Sequence, residues 1–314
     1  LHQGSLERPY TGRPVIYATH GIISSGHYLT SMAGMRMLLS GGNAFDAIVA
    51  AGFAAAVVEP VASYSLACEG VFMLYHASSG DLLALSGQGT APRGATAEWY
   101  RSQGHDDIPT GPGPLAPLAF TVPGVVHGYL SMLERYGTRT VAEILAPSIR
   151  YAEAGFPNYE YMLQRIDNDS IRSQFDLYPP GGRDIFFDNG KAQKPGSLLV
   201  QKSLAGKLKQ LVTAESESTG TRIDGIRAAN DAFYRGEIAR KIVAFSESNG
   251  GYYTTRDFED HTSAWVEPVT TSYRGHDIWE IPPNSSGIVA LMMLNILEGY
   301  DLAGSGSGSA MTTH

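Results

Sequence analysis

Residues 41–60 read GGNAFDAIVAAGFAAAVVEP, and their reading decides the fold. Gly41 and Gly42 can take the left-handed backbone that stops a preceding helix. Asn43 then serves as an N-cap. Asp46 stands three residues on, where a capping-box acid reaches back to the cap N–H. Pro60 ends the segment, because proline disfavours helical backbone in the residue before it. The alanine-rich face between these signals predicts a helix packed closely against another element. The most apolar stretch, 44–62, contains Asp46 and Glu59. A charge within a membrane span is costly, so the segment reads as a buried helix.

Working outward, HYLTSMAGMRMLLSGG places Leu29, Met32, Ala33, Met35, Leu38 and Leu39 near helical spacing. Downstream, VFMLYHASSGDLLALSG predicts a hairpin with strands over Val71–Tyr75 and Leu82–Leu85, turning at 78–81. Residues 104–117 form a Pro/Gly-rich loop. PGVVHGYLSMLERYG and TVAEILAPSIRYAEAGFP predict two helices, the second capped by Thr140. Residues 166–200 read as loop-rich. Helices follow over Leu204–Val212, Arg222–Asn230 and Glu237–Asn249, then a strand in HDIWEI, a turn in PPNSSG and a last helix in IVALMMLNILEGY. The strands are few and hairpin-like, which excludes a doubly wound parallel sheet and predicts a layered α+β domain.

Of 314 residues, 43% are hydrophobic and 17% charged, enough for a sizeable core. The formal net charge is −8, with no Lys/Arg cluster, which argues against a nucleic-acid partner. A single cysteine, Cys68, allows no intrachain disulfide and favours a reducing compartment. The opening LHQGSLERPYTGRP lacks the apolar core of a signal peptide. Together these favour the cytoplasm, with the periplasm or exterior open if a signal had been removed. The nine histidines show no H-x-x-x-H pair, and His105-Asp106-Asp107 in a Pro/Gly loop is a poor ligand set, so neither metal nor cofactor is expected.

Six blocks in order carry a resemblance: HGIISSGHYLTSMAG with GGNAFDAIVAA; VPGVVHGYLSMLERYGT with ILAPSIRYAEAGFP; FYRGEIARKIV; GGYYTTRDFEDHTSAWVEPV; IPPNSSG; and LNILEGYDL. Across residues 20–303 the chain resembles the gamma-glutamyltransferase family of N-terminal-nucleophile hydrolases. The resemblance implies a four-layer αββα sandwich, completed by a small subunit outside this chain. It implies an autocatalytically cleaved zymogen whose two subunits form a heterodimer. Residues 1–303 would be the large-subunit portion. Thr312, in the closing Thr-Thr-His, matches the nucleophile, with Thr313 and His314 its neighbours. A threonine hydroxyl is weak at neutral pH, and the α-amine freed by cleavage can act as its base. The implied reaction is amide hydrolysis or acyl transfer through an acyl-enzyme on a small-molecule substrate.

The chain departs from the family at LSGQGTAP. An arginine that grips the glutamyl α-carboxylate normally precedes the Ala-Pro. Gln88 stands in its place, and Gly89 replaces the acid beside it. Gln keeps hydrogen-bonding capacity but loses the charge and the bidentate fork. Specificity shifted away from ordinary γ-glutamyl substrates is therefore expected. Two alternatives stand beside this: recruitment to natural-product biosynthesis, including hydrolysis of a C–C bond beside a carbonyl, and an inactive homologue acting as a binding or structural protein. In SYSLACEGVFM the family's glycine-rich run is replaced. Cys68 reads as a small hydrophobe, and Glu69 as a paired structural carboxylate in preference to a pocket acid. Residues 304–311 read as a flexible Gly/Ser linker, engineered or natural, that stands in for the longer segment the family carries before its nucleophile.

Overall fold

The computed structural model describes residues 15–110, 113–177, 182–283 and 285–302. Helices α1 (Tyr28–Leu39) and α2 (Ala44–Val58) pack against each other, as the alanine-rich face predicts. Gly41 adopts φ +84°, and Gly42 N–H closes on Met37 O at 2.8 Å. The capping box is complete. Asn43 Oδ1 accepts from the Phe45 and Asp46 N–H groups, and Asp46 Oδ2 accepts from Asn43 N–H at 2.8 Å. Twelve of the fifteen α2 residues are buried, as expected of a helix apolar on all faces.

Both ends of α2 are pinned by distant chain. At its start, Asn43 Nδ2 donates to Tyr136 O at 2.7 Å. At its end, Gln201 Nε2 takes Val57 O (2.8 Å) and the Tyr159 hydroxyl takes Val58 O (3.1 Å). The last carbonyls of a helix have no partner within it, so these side chains satisfy groups that burial would otherwise strand.

Strands β1 (Gly70–His76) and β2 (Asp81–Gly87) pair antiparallel from Gly70↔Gly87 to His76↔Asp81. After a short α3 (Ala97–Ser102), helices α4 (Val125–Tyr136) and α5 (Val141–Ala154) pack on α2. Glu215 caps the start of α5, accepting from the N–H groups of Val141 (2.6 Å) and Ala142 (2.7 Å).

The segment expected to be loop-rich carries more structure than its weak periodicity suggests. β3 (Phe156–Pro157) and α6 (Glu160–Ile166) lead into it, and within residues 166–200 it holds α7 (Asp169–Leu177), α8 (Gly182–Phe186), β4 (Phe187–Asp188), β5 (Lys191–Ala192) and β6 (Leu198–Leu199). Phe187 and Leu199 anchor it to the core, next to Phe156 and Met162 of the elements that precede it. Helices α9 (Lys202–Glu217), α10 (Arg222–Tyr234) and α11 (Glu237–Ser248) follow, then α12 (Thr255–Glu259).

A strand absent from the sequence reading, β7 (Ala264–Val266), pairs antiparallel with β2, giving a three-stranded order β1–β2–β7. β8 (Val269–Tyr273) and β9 (His276–Glu280) form a separate hairpin that packs on α13 (Gly287–Glu298). The result is a mixed α/β fold. Among the described residues no helix is long and apolar enough to cross a membrane.

Candidate active site

A cavity of about 710 Å³ opens where the start of α1, one face of α2, the approach to β1 and the end of β2 meet. Ser24, Ser25, Gly26 and Thr30 line one side. Ala51, Gly52, Ala55 and Glu59 line the α2 side. Tyr64, Glu69, Gln88, Tyr129, Ser285 and Ser286 complete the polar wall.

Gln88 is positioned by close backbone packing. A β-carbon on Gly124 would collide with Gly87 O and the Gln88 carbonyl group. One on Gly89 would collide with Val122 O, and Val122 N–H bonds to Thr90 O at 2.9 Å. The Gln88–Thr90 segment therefore lies flat against residues 121–124 because two glycines permit it. Gln88 faces the cavity, and its Oε1 is buried without a hydrogen-bond partner. Gly89 is not among the lining residues; it sets the course of the chain. Arg93, the next cation along, is exposed and ion-paired with Asp260, and is also outside the lining.

Beneath this segment lies a buried aromatic network. Tyr234 donates to Pro123 O (2.8 Å) and accepts from His127 N–H (3.0 Å), fixing the start of α4. His127 Nδ1 accepts from Ser263 N–H at 3.0 Å, and His261 Nδ1 meets Thr90 Oγ1 at 3.2 Å. Burial, followed by the nearby His127, pushes the His261 pKa down to about 4, and burial lowers His127 too. An unfolded chain takes up these protons near pH 6.5, while the folded one resists until lower pH. Stability should therefore be complete above pH 6.5 and fall as pH drops towards 4, by up to about 3 kcal/mol from His261. Urea unfolding midpoints at pH 7.5 and 4.5 check this. A His261→Gln variant should lose a large part of the difference; an unchanged pH dependence in that variant contradicts the assignment.

The remaining cavity groups are acidic or neutral. Glu59 is only 5% exposed, and its Oε1 accepts from Thr30 Oγ1 at 2.6 Å. Glu69 lines the cavity as an exposed side chain with no ion-pair partner among the described residues, so the reading of it as a paired structural carboxylate is corrected. Burial raises the Tyr129 hydroxyl well above its ordinary pKa. Burial likewise raises the Cys68 thiol, which opposes a thiolate nucleophile. Ser285 and Ser286 of the predicted PPNSSG turn shape one edge of the cavity. Among the described residues no cluster of three His, Cys, Asp or Glu could hold a metal. Thr312, Thr313 and His314 lie outside the described residues.

Sequence reasoning missed Glu59, Thr30 and Tyr129 as cavity groups. For Glu59 a signal existed. An acid at the C-terminal end of an apolar helix opposes the helix dipole and needs a reason to be there.

The arrangement of helices around this cavity recurs in known proteins. The family model "Gamma-glutamyltranspeptidase" matches residues 30–314. The glutathione hydrolase-like YwrD proenzyme of Bacillus subtilis (strain 168) is 35% identical over 91% of this chain and 50% of its own length. The acylase ACY 1 proenzyme of Pseudomonas sp. (strain SE83) is 34% identical over 94% of this chain and 51% of its own. The crystal structure of Helicobacter pylori gamma-glutamyltranspeptidase superposes with a TM-score of 0.82 at 31% identity, covering 96% of this chain and 81% of that one. Relatives of this kind are hydrolases and acylases made as proenzymes. This chain belongs to the gamma-glutamyltranspeptidase family, and it spans about half the length of the curated relatives it matches.

Proposed function

We propose that this chain is the large-subunit portion of an N-terminal-threonine amidohydrolase or acyltransferase whose specificity has moved away from ordinary γ-glutamyl donors. The observation that carries the proposal is Gln88, an uncharged side chain on the cavity wall at the position of the family's carboxylate-gripping arginine. The relatives' names span glutathione hydrolases and acylases, which is consistent with one scaffold serving different acyl groups.

In this reading the precursor is cut before Thr312. The Thr312 hydroxyl attacks the donor carbonyl while the freed α-amine takes the proton. The amine product leaves with a proton, and water or an acceptor amine then releases the acyl group. Thr313 and His314 flank the nucleophile. The small subunit would complete the four-layer sandwich. Surface awaiting such a partner is present: Val71, Met73 and Tyr75 are exposed along edge strand β1, as are Val289, Met292, Met293 and Ile296 on α13. An exposed apolar face of this extent is characteristic of an interaction surface.

Gln88→Arg tests the pocket. Restoring a charge-assisted contact of roughly 1.5–3 kcal/mol should raise kcat/KM for γ-glutamyl anilides about 10- to 100-fold. Steady-state kinetics on the full-length processed protein reads this out. A processed Gln88→Arg variant with no gain would remove the basis for a shifted specificity.

A further inference from the structure

We infer that Glu59 is a recognition carboxylate for an ammonium group, so that the cavity selects donors carrying a primary amine and disfavours those presenting a carboxylate there. The inference rests on the amidohydrolase reading for the identity of the donor, though not for the existence of the site.

Glu59 is held in an environment that offers its charge no internal partner. It lies just beyond α2, where the helix dipole is negative and raises the cost of a second negative charge. It is 95% buried and makes no ion pair among the described residues. His27, on the neighbouring segment, accepts Leu29 N–H on Nδ1 and is tipped towards its neutral form by burial. The negative charge of Glu59 contributes, after burial, to pushing the Tyr159 hydroxyl up to about 12. A buried carboxylate without a cation costs several kcal/mol unless something compensates it.

The geometry leaves one oxygen for a ligand. Oε1 is engaged by Thr30, whereas Oε2 faces Gly26, where a β-carbon would overlap it. Among the described residues the cavity wall contains Glu59 and Glu69 and no Lys, Arg or His. Gln88 adds a buried acceptor, Oε1, that lacks a donor. Glu59 Oε2, at the cavity wall, and Gln88 Oε1 can both take hydrogen-bond donors. An ammonium supplies three donors and one positive charge, which compensates Glu59 and leaves a proton for Gln88 once its amide turns inward. A donor carboxylate at the same place meets two negative charges instead.

The test uses the full-length protein with two readouts. Calorimetry follows n-butylammonium against n-butanol at neutral pH. Kinetics compares 4-aminobutyryl, pentanoyl and glutaryl p-nitroanilides. The wild type should bind the ammonium at least tenfold tighter than the alcohol, and should favour the aminoacyl donor over both others by a similar factor in kcat/KM. Glu59→Gln should bring the ammonium preference close to unity, chiefly through KM. Gly26→Ala, which crowds Oε2 without changing charge, should do the same, so misfolding of one variant leaves the other decisive. If no anilide is turned over but the ammonium binds in a Glu59-dependent way, the amidohydrolase reading fails and the site stands. If the anilides are hydrolysed with no amine preference, or the preference survives both substitutions, the recognition role of Glu59 is overturned.

Discussion

Thr312→Ala in the full-length protein is expected to abolish self-cleavage and to lower turnover of every amide donor by at least about 10³-fold, the scale on which loss of a catalytic nucleophile is felt. The size of the effect follows from the lack, among the described residues, of an activated nucleophile in the cavity. The Cys68 thiol is half-buried and its pKa is raised, so it supplies little thiolate. Ser285 Oγ donates to the backbone carbonyls of Ile281 and Pro282 and has no imidazole partner among the described residues. The half-buried His127 and the buried His261 are engaged with Ser263 and Thr90 and are not among the residues that line the cavity. Thr312 follows Met311 in the chain, so its amine becomes free only when that peptide bond is cut. Thr312→Ser, which keeps the hydroxyl, should retain cleavage at a reduced rate. Intact mass spectrometry distinguishes cleaved from uncleaved protein and detects an acyl adduct of the donor. An uncleaved alanine variant that hydrolyses donors as fast as the wild type would remove Thr312 from the mechanism.

What the sequence makes legible is what is local. The Asn43–Asp46 capping box and the 70–87 hairpin are each specified by residues a few positions apart, and each forms as read. Distant pairing is hidden. β7 joins β2 through Ala84↔Val266, 182 residues apart, and three residues of strand carry too little alternation to announce themselves. Gln88 stands out in the sequence because it breaks the motif that the resemblance implies, but its setting does not show there. The two glycines that lay it against residues 121–124 come from separate segments and become meaningful only once packed. Glu59 is the sharpest case. As sequence it is a charge interrupting an apolar run. Its partner Thr30 lies 29 residues earlier on another helix, and its lack of a cation shows only in the folded cavity. Glu69 erred in the opposite direction: a carboxylate assigned to pairing stands exposed at the cavity instead.

The largest stability effect should come from Asp46, which the sequence marks only as a capping residue. In the fold it is fully buried and accepts four hydrogen bonds: from Asn43 N–H (2.8 Å), Thr138 N–H (2.8 Å), Thr138 Oγ1 (2.7 Å) and Arg139 N–H (3.0 Å). One carboxylate thus closes the cap of α2 and ties it to the α4–α5 connection, 92 residues away in sequence. Asp46→Ala leaves three backbone donors, all in part-buried bonds, without their acceptor, each costing about 1–3 kcal/mol where water does not replace it. The expected loss is about 3–5 kcal/mol, or roughly 10 °C in Tm for a domain of this size. Asp46→Asn keeps the volume but turns an amide donor towards donors, and should cost nearly as much. Asn43→Ala removes the cap and the bond to Tyr136 O, and should cost about 2 kcal/mol. Because α2 carries Ala51, Gly52, Ala55 and Glu59 to the cavity wall, the Asp46 variants should also weaken donor binding below their melting transition. Calorimetric melting of the three variants orders these terms. If Asp46→Ala melts within about 2 °C of wild type, water satisfies the Thr138 and Arg139 amides, and the placement of α2 rests on its apolar packing alone.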